Sequence, residues 1–400
     1  MHFTETQTFT RPESSADEEA EDETAGLGRA AKKALKMEAP WRTISAADRP
    51  KFIKSNQEEW AEWLKWSSCS PVYPKAGEID ERLILRSRIC YRWKPKDGGK
   101  WFKPKSRIVV LGFLDPHLPL VSRDAPALAK TTFVLIIQWA ASHGVSLWND
   151  NCKSAFLQGE ADAERPTQIY MKPPQDAIAL ESVPEWRHPL LLTAPVYGQA
   201  NAPRRWFLHV LHVLLDKGWK QHSLDPCCFL QVESETVTAV LGIHVDDIIC
   251  CCLSYEKHLK IVKQSFEWGS EWEENDFVFT SRRIRRMPDG SFRVDQEHYV
   301  ADEQLTRIKH EDSELLSQHP ELVTEFRSGI GSPQWMAGTT RGDLAADVLL
   351  LQKLPKELTV GDLKEVNKVL QYVRASADAY FTVNAIKLSE MVFVAYGDSG

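Results

Sequence analysis

Two adjacent aspartates, Asp246 and Asp247, stand in the middle of the apolar, β-branched run Ala239 to Cys252, which reads AVLGIHVDDIICCC. Burying an isolated carboxylate costs several kcal/mol or shifts its pKa, and two neighbours repel, so such a pair persists inside a protein only where something compensates it. A divalent cation is the usual compensation. Hard ions such as Mg²⁺ take oxygen ligands, and a carboxylate pair that also meets substrate phosphates is a recurrent way of holding them. The same run can be read without a metal, as a β-hairpin whose turn is Val245-Asp246-Asp247-Ile248 between two short strands.

The elements around this pair can be read from periodicity. Residues 57–66, QEEWAEWLKW, place Trp60, Trp63 and Leu64 at i, i+3 and i+4, which predicts an amphipathic helix with those residues on its core face. Alternation predicts strands over 83–93 and 106–113, joined by a turn at Asp97-Gly98-Gly99. Helical spacing of Leu128, Phe133, Val134, Ile137, Trp139 and Ala140 predicts a helix over 125–143 with Gly144 as its C-cap. A strand follows at 145–152, then a helix at 204–217 ended by Gly218. Strands at 228–232 and 236–245 carry the aspartate pair. Residues 277–286 and 291–294 flank Pro288-Asp289-Gly290, in which proline presets φ and glycine supplies φ > 0, so a hairpin is predicted there. Residues 297–377 read as mostly helical. Alternating strands and helices with antiparallel pairs predict an α+β fold.

Composition sets the limits. With 400 residues, 43% of them hydrophobic and 14 of them tryptophan, the chain can bury a large core and should hold more than one subdomain. No apolar stretch reaches the roughly 18 residues needed to cross a bilayer, and residues 1–30 lack a secretory pattern, so no membrane association is expected and the expected location is intracellular, cytoplasmic or nuclear. The eight cysteines include an adjacent pair and a triplet but no CxxC, which fits a reduced compartment. A zinc site at Cys250 to Cys252 is disfavoured, because strand alternation throws neighbouring thiolates onto opposite faces. Eight acidic residues against Arg11 within residues 1–24 account for the whole formal charge of −7. The remainder is formally neutral, which allows a basic groove without requiring one. Residues 1–40 are polar, acidic and poor in aromatics, and disorder is expected there.

Six blocks in order resemble copia-type retrotransposon reverse transcriptases. They are Lys105 to Phe113 (KSRIVVLGF), Asn151 to Gly159 (NCKSAFLQG), Val196 to Phe207 (VYGQANAPRRWF), the Val245-Asp246-Asp247 hairpin, Thr340 to Ala345 (TRGDLA) and Ala395 to Asp398 (AYGD). The resemblance implies a right-hand polymerase: fingers and palm over 41–295 with an antiparallel palm sheet, and a mostly helical thumb or connection region over 296–390. It also implies a truncated start of an RNase H-like domain over 391–400, with Asp398 as a first carboxylate but no RNase H activity. Such an enzyme is an RNA-directed DNA polymerase acting on an RNA or DNA template-primer and deoxynucleoside triphosphates, with two Mg²⁺ or Mn²⁺ ions about 4 Å apart. The family's pattern supplies three aspartates. Asp246 and Asp247 match two, and the spacing back from Ala155-Phe156-Leu157 puts the third at position 151, where this chain has Asn151; Asp150 lies one residue early. A one-residue slip aims a strand side chain at the opposite face unless a bulge realigns it. Loss of one preorganised group commonly costs roughly 10² to 10³ in rate. By the same resemblance, Arg107, Lys105 and Phe156 fall where nucleotide contacts are expected, Phe156 against the sugar 2′ position; the family's glutamine is replaced by Asn201, and Gln199, two residues earlier, is the remaining nucleotide-side candidate. His244 stands where many relatives have tyrosine and is a candidate for the primer side; Arg282 and Arg283 of the predicted hairpin are candidates to touch a primer backbone, with solvated strand arginines the alternative. The alternatives open to the sequence are a fold retained without catalysis that binds nucleic acid or a protein partner, and an unrelated structural protein in which the aspartates are an exposed turn.

Overall fold

Residues spaced 52, 55/56, 59/60 and 63 fall on one face of a helix, and Arg49–Lys65 forms a helix that buries Phe52, Ser55, Asn56, Glu59, Trp60 and Trp63. Leu64 is one step round and half exposed, which corrects its expected core position. This computed structural model describes residues 38–392 apart from 76, 97–100, 164, 175–183, 301–304, 353–356 and 391. The acidic N-terminal run, the Asp97-Gly98-Gly99 turn and Asp398 therefore lie outside the described residues. The chain divides into two compact units, each discontinuous: residues up to Pro126 with Ser154–Val213, and Ala127–Lys153 with Leu214 onward.

In the first unit, strands Ser87–Lys96 and Trp101–Val110 pair antiparallel with Ser87 opposite Val110. Helix Arg49–Lys65 docks on the second of them: Ser55 Oγ accepts from the Ser106 N–H at 2.9 Å, and Glu59 Oε1 from the Ile108 N–H at 3.3 Å. A small sheet orders Cys69–Pro71, Leu190–Leu192, Tyr170–Met171 and Ile84–Leu85. Gly198 has φ +92°, and a Cβ there would sit 2.0 Å from the Val110 carbonyl oxygen, so only glycine lets the two backbones approach.

In the second unit a six-stranded, wholly antiparallel sheet runs Glu273–Glu274, Leu147–Asn151, Asp247–Cys252, Thr236–His244, Cys228–Glu233, Lys220–Gln221. Helix Lys130–His143 covers one face of it and ends as expected at Gly144 in the left-handed region. It starts at Lys130 rather than 125 because the preceding residues are held extended, the Leu128 N–H on the Ile243 carbonyl at 3.2 Å and the Ala129 N–H on Asp225 Oδ2 at 3.0 Å. Gly242 lies beneath this helix; a Cβ there would meet Ile136 Cδ1 at 2.7 Å and Leu128 Cδ2 at 2.8 Å. A second sheet orders Asp276–Phe279, Arg282–Arg286, Phe292–Asp295 and Tyr380–Val383. The single strand expected over 277–286 is thus two, reversed at Thr280-Ser281, where both residues have positive φ. Helices Pro320–Ala337, Ala345–Gln352 and Val360–Ala375 form the helical part, with Phe326, Leu363, Val366 and Leu370 in its core. Among the described residues no helix is long and apolar enough to cross a membrane, and all eight cysteines are free, six of them buried.

Candidate active site

Why the aspartates sit where they do follows from strand register. Thr236–His244 and Asp247–Cys252 form a hairpin with His244 opposite Asp247, leaving Val245 and Asp246 as a two-residue loop. Val245 has φ +60° and Asp246 does not have a positive φ, the pattern of a type II′ turn, whose first position normally goes to glycine. A β-branched residue in that place stores roughly 1–3 kcal/mol of strain. The loop is tied down from below, since the Asp246 carbonyl accepts from the Cys152 N–H at 2.8 Å.

Strand Leu147–Asn151 pairs antiparallel with Asp247–Cys252, setting Asn151 opposite Asp247 and Asp150 opposite Ile248 without a register shift. Asn151 and Asp247 therefore share a face, and the Asn151 amide donates to Asp247 Oδ1 at 3.0 Å. Asp150, one pleat along, turns to the opposite face. It is 3% exposed; its Oδ1 accepts from Ser270 Oγ at 2.9 Å and from the Asn151 N–H at 2.7 Å, and its Oδ2 is buried without a partner. Asp150 is thus set apart from the Asp247 face, and no bulge brings it back. Burial pushes Asp247 up to about 6; Asp246 and Asp150 add to the rise, and the Asn151 amide opposes it. Burial also raises Asp150 above the usual carboxylate range, against its bonds to Asn151 and Ser270 and the charge of Lys263. A carboxylate held this way asks for positive charge, and two carboxylates with an amide that can turn its oxygen inward are a donor set that suits a hard divalent cation.

The supports of this site are residues that sequence reasoning passed over. Asn149 Nδ2 donates to the Ile248 carbonyl at 3.0 Å, and Asn275 brackets the start of strand Leu147–Asn151 by accepting from the Leu147 N–H and donating its own N–H to the Leu147 carbonyl. Ser270 and Asn275 lie more than 100 residues from that strand in sequence, and nothing in their local pattern marks them.

The candidates for the primer side divide. His244 is half-buried, 6.2 Å from the Phe279 ring; burial, then Arg282, pulls its imidazole below the usual value. Arg282 is 6% exposed, with its guanidinium 3.7 Å from the Phe133 ring centroid and bonded to Thr280 Oγ1, and burial pulls it down to about 10. That corrects the expectation of a surface arginine facing a nucleic-acid backbone. Arg283 is at the surface, in a two-bond ion pair with Asp276 at 2.9 Å.

The nucleotide-side candidates all belong to the first unit. Arg107 lies over the Tyr197 ring at 4.0 Å, and Phe156, half-buried in the short helix Ala155–Gln158, packs on the same ring at 5.3 Å. Lys105 Nζ pairs with Glu59 Oε2 at 3.4 Å. Glu59 is a buried acid that the helix periodicity could have exposed as a charged residue on the core face. Burial raises its pKa, and Lys105 and Arg107 hold it back. Gln199 folds its Oε1 onto the Val196 N–H at 2.9 Å and, with Asn201, Arg205, Asp162 and Arg165, lines a cavity of about 290 Å³.

Residues 80–280 match the family described as reverse transcriptase (RNA-dependent DNA polymerase). The Retrovirus-related Pol polyprotein from transposon TNT 1-94 of Nicotiana tabacum is 21% identical over 83% of this chain and 26% of its own length. The Retrovirus-related Pol polyprotein from transposon RE2 of Arabidopsis thaliana is 24% identical over 78% of this chain and 21% of its own. The chain thus spans about a quarter of the length of these relatives. Among solved structures, a foamy viral protease-reverse transcriptase in complex with double-stranded DNA aligns over 80% of this chain and 48% of that one, with a TM-score of 0.44 and 11% identity.

Proposed function

The chain belongs to the reverse transcriptase (RNA-dependent DNA polymerase) family, and from that premise we propose that it is the polymerase segment of a copia-type retrotransposon Pol polyprotein, extending a DNA primer on an RNA or DNA template with reduced turnover. The observation that carries the reading is the placement of Asp247 and Asn151 side by side on adjacent antiparallel strands, with Asp246 on the turn next to them.

Asp246, Asp247 and the amide oxygen of Asn151 would hold Mg²⁺ or Mn²⁺; Asp150 is left out by its position on the far face. Bound there, the divalent ions supply charge neutralisation at the primer 3′ oxygen and at the triphosphate. The protein's part is position: the strained turn and the Cys152 N–H bond fix Asp246, and the Asn149 and Asn275 bonds fix the strand that presents Asn151. Arg107 offers a planar fork of donors suited to triphosphate oxygens, and Phe156 a ring suited to excluding a ribose 2′ hydroxyl. With an amide in place of the third carboxylate, the turnover should fall roughly 10² to 10³ below that of a three-aspartate site.

Primer extension on an RNA template, in Mg²⁺ and then Mn²⁺, tests this with wild type, Asn151→Asp and Asp246→Asn. Slow extension by wild type, faster in Asn151→Asp and abolished in Asp246→Asn, is the expected result. Silence in all three would replace it with a non-catalytic fold that binds nucleic acid or a protein partner.

A further inference from the structure

Two histidines and two glutamates that no polymerase role uses converge at the entrance to the helical part of the second unit. His310 lies in the loop before helix Pro320–Ala337, His319 is the residue that caps that helix, and Glu321 is in its first turn. Their ligand atoms lie within 4.8 Å of one another, and the two imidazole centroids are 3.9 Å apart. Glu314, in the loop between the histidines, faces both rings: its Oε2 is 3.0 Å from His319 Nε2 and 3.4 Å from His310 Nδ1, and its Oε1 accepts from the Glu311 N–H at 2.7 Å.

The backbone that carries these groups is fixed independently of them. The Leu316 N–H bonds the Leu358 carbonyl at 2.8 Å, the Val360 and Gly361 N–H groups bond the Glu314 and Asp312 carbonyls at 2.9 Å, and Leu316 is fully buried with Leu322 and Phe326. Lys364 neutralises Asp312 on the outer side. The loop is therefore a preformed bracket.

We propose that His310, His319 and Glu321 form a structural site for a borderline divalent cation of the Zn²⁺ class, with Glu314 as the carboxylate that orients both imidazoles. The hydrogen bond to Glu314 keeps the proton on His319 Nε2 and leaves the lone pair on Nδ1; the carboxylate beside His310 Nδ1 does the same for that ring, freeing its Nε2. A ligating histidine whose other ring nitrogen meets a carboxylate is the usual arrangement around zinc. Imidazole and carboxylate donors suit Zn²⁺ rather than Mg²⁺, which prefers oxygen alone. Bond lengths of about 2.0–2.2 Å put tetrahedral ligand atoms roughly 3.4 Å apart, and the exposed Glu321 side chain has room to close the difference. An ion here would join the loop before the helix to the helix's first turn.

The test is titration of the full chain with Zn²⁺ under reducing conditions, followed by competition with a chelating indicator, and with Co²⁺, whose visible d–d bands report a low-symmetry nitrogen-oxygen site. Wild type and Asp246→Asn should each take up one tight equivalent and show the Co²⁺ bands. His310→Ala and His319→Asn should lose that equivalent and the bands while circular dichroism stays unchanged. Glu314→Gln should weaken affinity about 10- to 100-fold. Zn²⁺ uptake and Co²⁺ bands that are the same in His310→Ala and His319→Asn as in wild type, or that disappear in Asp246→Asn, overturn the proposal.

Discussion

Replacing Asn151 by aspartate should make the metal-free protein less stable and the metal-bound protein more so. The amide that now donates to Asp247 Oδ1 at 3.0 Å becomes a second carboxylate on the same face. A hydrogen bond to a charged group, worth about 1.5–3 kcal/mol, is lost. Two charges about 4 Å apart at an effective dielectric near 20 repel by roughly 4 kcal/mol. Asn151 is exposed, so solvent screens much of that repulsion, and Asp247, already pushed up to about 6, limits the rest by taking a proton. A net cost of about 2–4 kcal/mol at pH 8 remains. For a unit of about 200 residues this lowers the melting temperature by roughly 5 to 15 °C. Adding millimolar Mg²⁺ should raise the variant's melting temperature far more than the wild type's, because a charged ligand replaces a neutral one. Calorimetry with and without the ion measures both. Melting of the metal-free variant at the wild-type temperature, or equal Mg²⁺ shifts in the two proteins, would refute the shared face of residues 151 and 247.

Asp247→Asn tests the electrostatics from the other side. Its carboxyl has a folded value of about 6 against about 3.9 unfolded, so the folded state holds the proton more tightly. The stability this gives is fully present below about pH 4 and is lost as pH rises through 6, which is about 3 kcal/mol between pH 4 and 8; in urea melts without metal, Asp247→Asn should lack that decline, and an identical decline would count against a raised Asp247. Gly242→Ala should cost about 1–3 kcal/mol, since its Cβ would press on Ile136 and Leu128 at under 3 Å; an unchanged denaturation midpoint would mean the helix gives way freely. Arg107→Lys keeps the charge but loses the fork and the stacking on Tyr197, so the KM for deoxynucleotides should rise with little change in stability; steady-state kinetics with an unchanged KM would remove Arg107 from nucleotide binding.

The strands and helices that carry the site could be read because their apolar periods are long and their stops are glycines, as at Gly144 and Gly218. What stayed hidden has local causes. The reversal at Thr280-Ser281 uses two residues that rarely take positive φ, so no turn signal marks it. Leu64 lies off the core because the buried face of its helix is set by Phe52 and Ser55, upstream of the stretch that carries its tryptophans. Arg282 looked like a surface charge because alternation along an arginine-rich strand says which residues share a face but not which face is inside. Asp150 and Asn151 could be ranked only with the strand register in hand, because the sequence states their order but not the presence or absence of a bulge.

The interleaving of the two units has a consequence for how the chain is made. Strand Leu147–Asn151 leaves the ribosome roughly 100 residues before its partner Asp247–Cys252, a delay of about 5–20 s at ordinary rates of synthesis. During that time it presents an unpaired edge, and the helix Lys130–His143 has no sheet to cover. The first unit meanwhile waits for residues up to Val213 before its own core can close. The first unit can close once Val213 is made, but the 127–153 segment of the second waits unpaired until residue 252 follows, so chains released early should collect as aggregates, and slowing elongation before residue 252 should lower the yield of soluble protein more than slowing it afterwards.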